Sequence, residues 1–264
     1  MYNKTTTVAL YDTLGEDASR YVINQTEMTT IACSKDLVHK IVDMKLKDDG
    51  MDEGERKLFR LKYVICFEGE CDIKDLENAD KCGLKVFTFG EVIEQGKAHK
   101  EYQHTEPSPD DHMMFSYTSG TTGDPKGVKL TQKMLLMAAT AVMLRMRRNN
   151  LGLTEADRYI SYLPLAHSFE QALFAMSTIF GIQCGFFGGD VLKLTKEDIP
   201  VLKPSFFPSV PRLYNRIYGV IQDKLKEAVG FKGWLVGNAI ATKTAALNTT
   251  GAVTHGCYDS IVFN

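Results

Sequence analysis

Residues 117–128 read Tyr-Thr-Ser-Gly-Thr-Thr-Gly-Asp-Pro-Lys-Gly-Val, and their types and spacing suit one kind of chemistry, the holding of phosphate. Between Thr118 and Gly127 stand three glycines (Gly120, Gly123, Gly127), four hydroxyls (Thr118, Ser119, Thr121, Thr122) and one lysine, Lys126. Glycines let the backbone take left-handed conformations and approach a ligand with no Cβ between them. Successive N–H groups in such a turn converge into an anion-binding nest. The hydroxyls add neutral donors, and Lys126 adds a compact positive charge. A plain Gly/Ser/Thr surface loop is the bland alternative. The order of these groups, with Pro125 stiffening the exit, speaks against it. A Walker A loop is excluded, because it needs Gly-Lys followed by Ser or Thr, whereas the order here is Lys126-Gly127-Val128.

Such a loop works only if rigid elements fix its two ends. Met113, Met114 and Phe115 predict a strand leading in, and Val128 to Leu130 a short strand pairing back on it. Thr131 then caps a helix reaching about Arg148, whose closing Arg145, Arg147 and Arg148 complement the helix dipole. Upstream, strands are expected over Thr6 to Leu10, Met28 to Cys33, Tyr63 to Phe67 and Leu84 to Phe89. Helices are expected over Glu16 to Asn24, and after Ser34 on a face of Leu37, Val38, Ile41, Val42 and Met44. Val92, Ile93 and Ala98 mark a short one. The charged segment Lys45 to Lys57 reads as a solvated loop, and Lys100 to Asp111 as a polar linker. Downstream come a strand over Tyr159 to Leu163, a helix near 170–180, a strand near 182–187 and a short helix over Lys196 to Leu202. Ser205 to Phe207 reads as a short strand. Pro211 opens an amphipathic helix with Tyr214, Ile217, Tyr218, Ile221 and Leu225 on one stripe, and a last helix covers about Lys232 to Asn248. This alternation predicts an α/β fold with mostly parallel strands flanked by helices and with ligands at the carboxyl ends of the strands.

The 264 residues allow one large or two ordinary domains. A net charge of −2 makes no case for nucleic acid or an anionic membrane as the main partner. The six cysteines (33, 66, 71, 82, 184, 257) show no C-x-x-C and no zinc spacing, and the N-terminus shows no secretory signal. They read as reduced, mostly buried thiols of an intracellular protein. Between Glu170 and Asp190 no residue is charged, a length that could cross a bilayer. Its glycines (181, 185, 188, 189) divide it, so a buried helix, turn and strand is expected instead.

The phosphate loop resembles the ATP-binding signature of the adenylate-forming (AMP-binding) synthetases, [Y/F]-T-S-G-[S/T]-T-G-x-P-K-G-V, with Asp124 at the free position. Four more stretches look like long-chain acyl-CoA synthetases of the eukaryotic type: Leu10–Gly15, Tyr162–Glu170, Phe206–Tyr214 and Tyr258–Asn264. The resemblance implies ATP-dependent activation of a long-chain fatty acid, first to an acyl-adenylate and then to acyl-CoA. It implies ATP and coenzyme A as co-substrates, Mg2+ as the metal, small-molecule partners with no nucleic acid, and in the full-length protein a peripheral membrane contact. Localisation would be cytoplasmic or on the cytoplasmic face of an organelle. The cofactor-binding set would be Thr118, Ser119, Gly120, Thr121, Thr122, Gly123, Lys126 and Gly127, with the hydroxyl of Thr118 offered to magnesium. Lys126 and His167 would be the catalytic pair. On chemistry alone His167 either binds a carboxylate or adenylate oxygen or simply caps the next helix; the resemblance favours the site role. Phe206, Phe207 and Tyr214 would wall an acyl channel or belong to the core, and core is the simpler reading.

Three family features have no counterpart here: the Tyr-Gly-x-Thr-Glu motif that completes the magnesium site, the separate Thr-Gly-Asp segment that holds the ribose (Thr122-Gly123-Asp124 belongs to the phosphate loop itself), and the lysine of the C-terminal lid domain. Residues 1–264 are therefore expected to be an incomplete AMP-binding domain, a part of the large N-terminal domain of that fold without the lid. The isolated chain would not complete the reaction. Two readings of other classes remain: a non-catalytic ATP-binding or regulatory module, and a membrane-anchored protein built on the uncharged stretch.

Overall fold

A computed structural model of the chain describes residues 2–11, 14–118, 124–148, 152–190 and 193–251. It divides into two compact units, Met1–Ser205 and Phe206–Asn264.

The first unit opens with β1 (Thr7–Val8) and α1 (Glu16–Gln25), followed by a β–α repeat: β2 (Thr30–Cys33), α2 (Lys35–Asp49), β3 (Tyr63–Cys66), α3 (Ile73–Lys81), β4 (Lys85–Thr88) and α4 (Phe89–Ala98). Strands β2, β3 and β4 form a parallel sheet in that order, with Ile31 opposite Val64 and Val64 opposite Val86. Alternation decides which side chains turn inward: Ile31, Cys33, Val64 and Cys66 are buried and meet Val38, Ile41 and Val42 of α2 in one core. Thr88 and Glu91 close α4 with a reciprocal capping box.

One expectation fails in this region, and one helix is unforeseen. Lys45 to Lys57 is not a solvated loop throughout. Helix α2 continues to Asp49, and Lys45 and Asp48 are buried. Charge alone misleads here because Asp48 is fully supplied with donors. It accepts from Arg20 Nε at 3.1 Å and Nη2 at 2.6 Å, and from the amides of Lys57 and Leu58. Lys45 in turn pairs with Asp49 one helical turn on. Helix α3 has no counterpart among the expectations. Its apolar residues Ile73, Leu76 and Ala79 recur at helical spacing, but of these only Ala79 is buried.

The 100–111 segment forms neither helix nor strand, yet it is tied down, with Asn3 N donating to Thr105 O at 2.8 Å and Thr105 N to Asn3 Oδ1 at 2.9 Å. It leads into β5 (His112–Thr118), β6 (Lys126–Thr131) and α5 (Gln132–Arg148). Strand β5 is central in a second sheet, parallel to β1 and antiparallel to β6. The expected cap is present, with Met134 N donating to Thr131 Oγ1 at 3.2 Å.

A third, two-stranded parallel sheet joins β7 (Arg158–Ser161) to β8 (Gln183–Phe186) around α6 (Ser168–Phe180). The uncharged stretch is thus a helix and a strand, separated at Gly181, whose φ of 69° ends α6. Among the described residues no helix is long and apolar enough to cross a membrane. A π-helical turn at Leu194–Asp198 runs into α7 (Ile199–Leu202). The expected strand over Ser205 to Phe207 does not form. Ser205 alone pairs with β7, its N–H donating to Arg158 O at 3.0 Å and its Oγ accepting from Arg158 N. Pro204, just before it, has no N–H to offer the ladder.

In the second unit α8 (Pro211–Lys226) and α9 (Gly230–Thr250) match the two expected helices. Of the α8 stripe, Tyr214, Tyr218 and Ile221 are exposed, whereas Leu213 beside them is buried.

Candidate functional site

The phosphate loop is held at both ends by one hairpin. Thr118, the last residue of β5, stands opposite Lys126, the first of β6, and Tyr117 stands opposite Gly127. Ser119, Gly120, Thr121, Thr122 and Gly123 lie outside the described residues. Thr118 and Lys126 are both exposed, and Thr118 Oγ1 donates to Lys126 O over 3.4 Å, a long bond that leaves the hydroxyl lone pairs to accept elsewhere.

Gly127 has another reason to be glycine than the one expected. It is a strand residue and does not take a left-handed conformation. An added Cβ would sit 2.8 Å from Cζ of Tyr117 and under 3.3 Å from two more ring atoms. The residue is small because the Tyr117 ring lies on it. Tyr117 is itself buried, and its hydroxyl donates to Gln25 Oε1 at 2.6 Å, while Gln25 Nε2 donates to Tyr21 at 2.9 Å. Burial, and then the nearby Tyr21, push the Tyr117 phenol above its ordinary pKa, so it stays a neutral donor. This relay fastens the hairpin to α1.

A cleft of about 650 Å³ opens beside it, lined by Tyr21, Gln25, Tyr117, Asp124, Lys126 and Lys129 among others. Two lysines against one aspartate make its mouth suited to an anion. Sequence reasoning missed Tyr21, Gln25 and Lys129. Tyr21 and Gln25 are more than ninety residues from the loop, and no local pattern points to them.

His167 is the N-cap of α6, and its Nδ1 accepts from Phe169 N at 3.1 Å. The neutral ring therefore carries its proton on Nε2. His167 N donates to Pro164 O at 2.8 Å, Gln171 Nε2 donates to Leu165 O at 2.9 Å, and Ser161 Oγ donates to Glu170 Oε1 at 2.5 Å. The Leu163–Phe169 turn is thus closed on itself from both sides. Among the described residues the hydrogen bonds of His167 run to this turn and to Gln171 N in α6, and none joins it to Thr118 or Lys126. The capping role is present. Glu170, which the sequence did not single out, is 1% exposed, and burial raises its pKa, with the Ser161 bond opposing.

Phe207 and Tyr214 meet edge to face at 6.4 Å, and the Tyr214 hydroxyl donates to Phe207 O at 2.9 Å. Phe206 and Phe207 are half-buried, so these aromatics are not the sealed core expected. Among the described residues no group of three or more His, Cys, Asp or Glu could hold a metal ion. Magnesium takes oxygen ligands and retains phosphate and water oxygens, so the single hydroxyl of Thr118 fits it as a minor ligand to a phosphate-borne ion.

The AMP-binding enzyme family profile matches residues 3–256. A long-chain acyl-CoA synthetase 6 (peroxisomal) of Arabidopsis thaliana is 35% identical over 257 residues, 97% of this chain and 34% of that protein. Human long-chain-fatty-acid–CoA ligase 1 is 31% identical over 97% of this chain and 35% of its own length. The chain thus spans about a third of the length of the curated relatives it matches. In fold it is similar to the adenylation domain of a Mycobacterium chelonae carboxylate reductase, with a TM-score of 0.68 at 17% identity over 94% of this chain and 38% of that one. A Rhodopseudomonas palustris structure described as a long-chain-fatty-acid CoA ligase gives a TM-score of 0.59 at 16% identity over 81% of this chain and 46% of that one.

Proposed function

As this chain belongs to the AMP-binding enzyme family, we propose that it supplies the nucleotide-phosphate part of a site that activates a long-chain fatty acid with ATP, first as acyl-adenylate and then as acyl-CoA. The observation that carries this reading is the hairpin, which sets Thr118 and Lys126 opposite each other at the two ends of the loop, beside a cleft whose mouth is cationic. Residues 1–264 are read as part of one AMP-binding domain, with 100–111 as an internal linker.

In the proposed first step the fatty-acid carboxylate attacks the α-phosphorus of ATP and pyrophosphate leaves. Negative charge grows on the leaving group, so donors fixed around the β- and γ-phosphates lower the barrier. Lys126, the hydroxyls of Ser119, Thr121 and Thr122, and the loop amides from Gly120 to Gly123 take that role. Gly127 contributes through the Tyr117 packing that seats β6. Thr118 would hold Mg2+, which when bound neutralises phosphate charge. His167, whose Nδ1 is engaged by Phe169 N, presents Nε2–H as a donor to a carboxylate or adenylate oxygen. In the second step the thiol of coenzyme A attacks the acyl carbon and AMP departs.

ATP–pyrophosphate exchange with palmitate, run beside calorimetric titration with Mg-ATP, tests the reading. Binding that disappears in Lys126→Ala supports the phosphate role. Absence of any ATP binding by the folded chain would overturn it, and binding without exchange would confine the chain to the nucleotide part.

A further inference from the structure

The carboxyl ends of β2 and β3 carry thiols that the phosphate loop does not use. Cys33 and Cys66 close the two strands and stand opposite each other in the parallel ladder. Cys33 is 8% exposed and Cys66 is fully buried. Cys71, in the turn before α3, packs on the same core that holds Cys66, with the two thiols close enough to interact. Cys66 Sγ also donates to Glu68 O at 3.2 Å. All three are free thiols. Cys33 borders a separate cleft of about 430 Å³, and the most exposed of the three is Cys71. It is half-buried and lines an open cleft of about 1040 Å³ together with Lys35, His39, Glu68 and Asp72. The pair thus has one sealed sulfur, that of Cys66, and one outer sulfur, that of Cys71, within reach of a small solute in this cleft.

We propose that Cys66 and Cys71 are a dithiol oxidation site, which a small peroxide entering through this cleft converts into an internal disulfide. The Cys71 thiolate attacks one peroxide oxygen. The O–O bond breaks as the S–O bond forms, and the expelled hydroxide leaves as water with the proton that Cys71 released. Cys66 sulfur then attacks Cys71 Sγ, an S–S bond replaces the S–O bond, and the second hydroxide departs as water with the Cys66 proton. Two thiols lose two electrons and one peroxide becomes two waters. The turn between the cysteines includes Gly69 at φ 48°, which folds Cys71 back onto Cys66 without side-chain strain.

Burial, then the neighbouring Cys66 thiol, push the Cys71 thiol up to about 11, with Lys35 opposing and Asp75 adding to the rise. Burial, then Cys66, Cys71, Asp36 and Glu68, push Cys33 up to about 12. Thiolate is therefore scarce near neutrality, and oxidation is slow and accelerates with pH. The same burial denies the reduced pair the thiolate stabilisation that makes some dithiols hard to oxidise, so the disulfide resists reduction once formed. Its formation removes the Cys66 S–H donor from Glu68 O. It also pins the turn whose Glu68 carboxylate accepts from Lys35 N at 2.6 Å, at the head of α2.

Treating this chain with hydrogen peroxide, alkylating the remaining thiols and mapping the peptides tests the proposal. The expected product is a Cys66–Cys71 cross-link that survives excess reduced glutathione and forms about tenfold faster for each pH unit gained below the thiol pKa. Cys33→Ser should leave the cross-link intact, and Cys71→Ser and Cys66→Ala should abolish it. The half-buried position of Cys71 makes Cys71→Ser decisive even where Cys66→Ala fails to fold. A Cys33–Cys66 bond as the main product, over-oxidised Cys71 without a cross-link, or a rate indifferent to pH would each overturn it.

Discussion

The ring of Tyr117 lies on Gly127, leaving room there for a hydrogen and not for a methyl group. A glycine inside a phosphate-loop motif is therefore held by packing between two strands, and its conservative replacement by alanine tests packing before it tests ligand binding.

Gly127→Ala is expected to destabilise the chain by about 1–3 kcal/mol, the ordinary cost of forcing a side chain into filled space. Urea unfolding measures it. Combining it with Tyr117→Leu should cost less than the sum of the two single changes, because they share one contact. Additive losses would mean that the ring is not what excludes the methyl group.

Lys126 is exposed and opens β6, so Lys126→Ala should leave the unfolding midpoint where it is. Loss of one charge-assisted bond to phosphate is worth about 1.5–3 kcal/mol, or roughly 10- to 100-fold in affinity for Mg-ATP. Calorimetry and unfolding on the same samples separate the two effects. A stability loss matching the affinity loss would assign Lys126 to the fold.

Glu170 is buried beside Ser161, and its pKa lies above the ordinary carboxylate value because burial disfavours its charge. The folded state therefore binds more protons than the unfolded state once pH exceeds about 4.5. Stability from this group is fully present below that pH and falls as pH rises through the raised value. Glu170→Gln keeps the shape and cannot ionise, so it should flatten this part of the stability profile. A wild-type profile identical to that of the glutamine variant would contradict the assignment.

Asp48 behaves in the opposite sense. Burial works against its charge, yet the Lys57 and Leu58 amides and Arg20 hold its carboxyl below the ordinary value. Its contribution is complete above about pH 4 and is lost as pH falls through the lowered value. Asp48→Ala should cost about 3–5 kcal/mol at neutral pH, since it leaves the buried Arg20 guanidinium with only the exposed Asp17 carboxylate, 4.0 Å away. Paired denaturation curves at neutral and acid pH should show that cost shrinking with acidity.

Much of this fold was legible because its signals are local. The β–α alternation, the Thr131 cap and the break at Gly181 follow from periodicity and from residues with a single conformational use. What could not be read depends on partners distant in the chain. Asp48 looks like a solvated acid until Arg20 and two amides surround it. Helix α3 carries Ile73, Leu76 and Ala79 at helical spacing, a signal too short to stand out among its charged neighbours, and Ser205 does not extend into a strand, with prolines at 204 and 208 around it. At the site, the residue types of the loop pointed to phosphate, but Tyr21 and Gln25 come from α1, and His167 proved to have a capping duty that the motif alone left open.

The β5–β6 register has one more consequence, for the entropy of binding. Bringing the ends of a flexible segment together carries a loop-closure cost that grows with its length. Here the rungs Tyr117–Gly127 and Thr118–Lys126 close residues 119–125 during folding. An anion arriving at the loop meets ends already joined, so its binding free energy is not drawn down by chain closure.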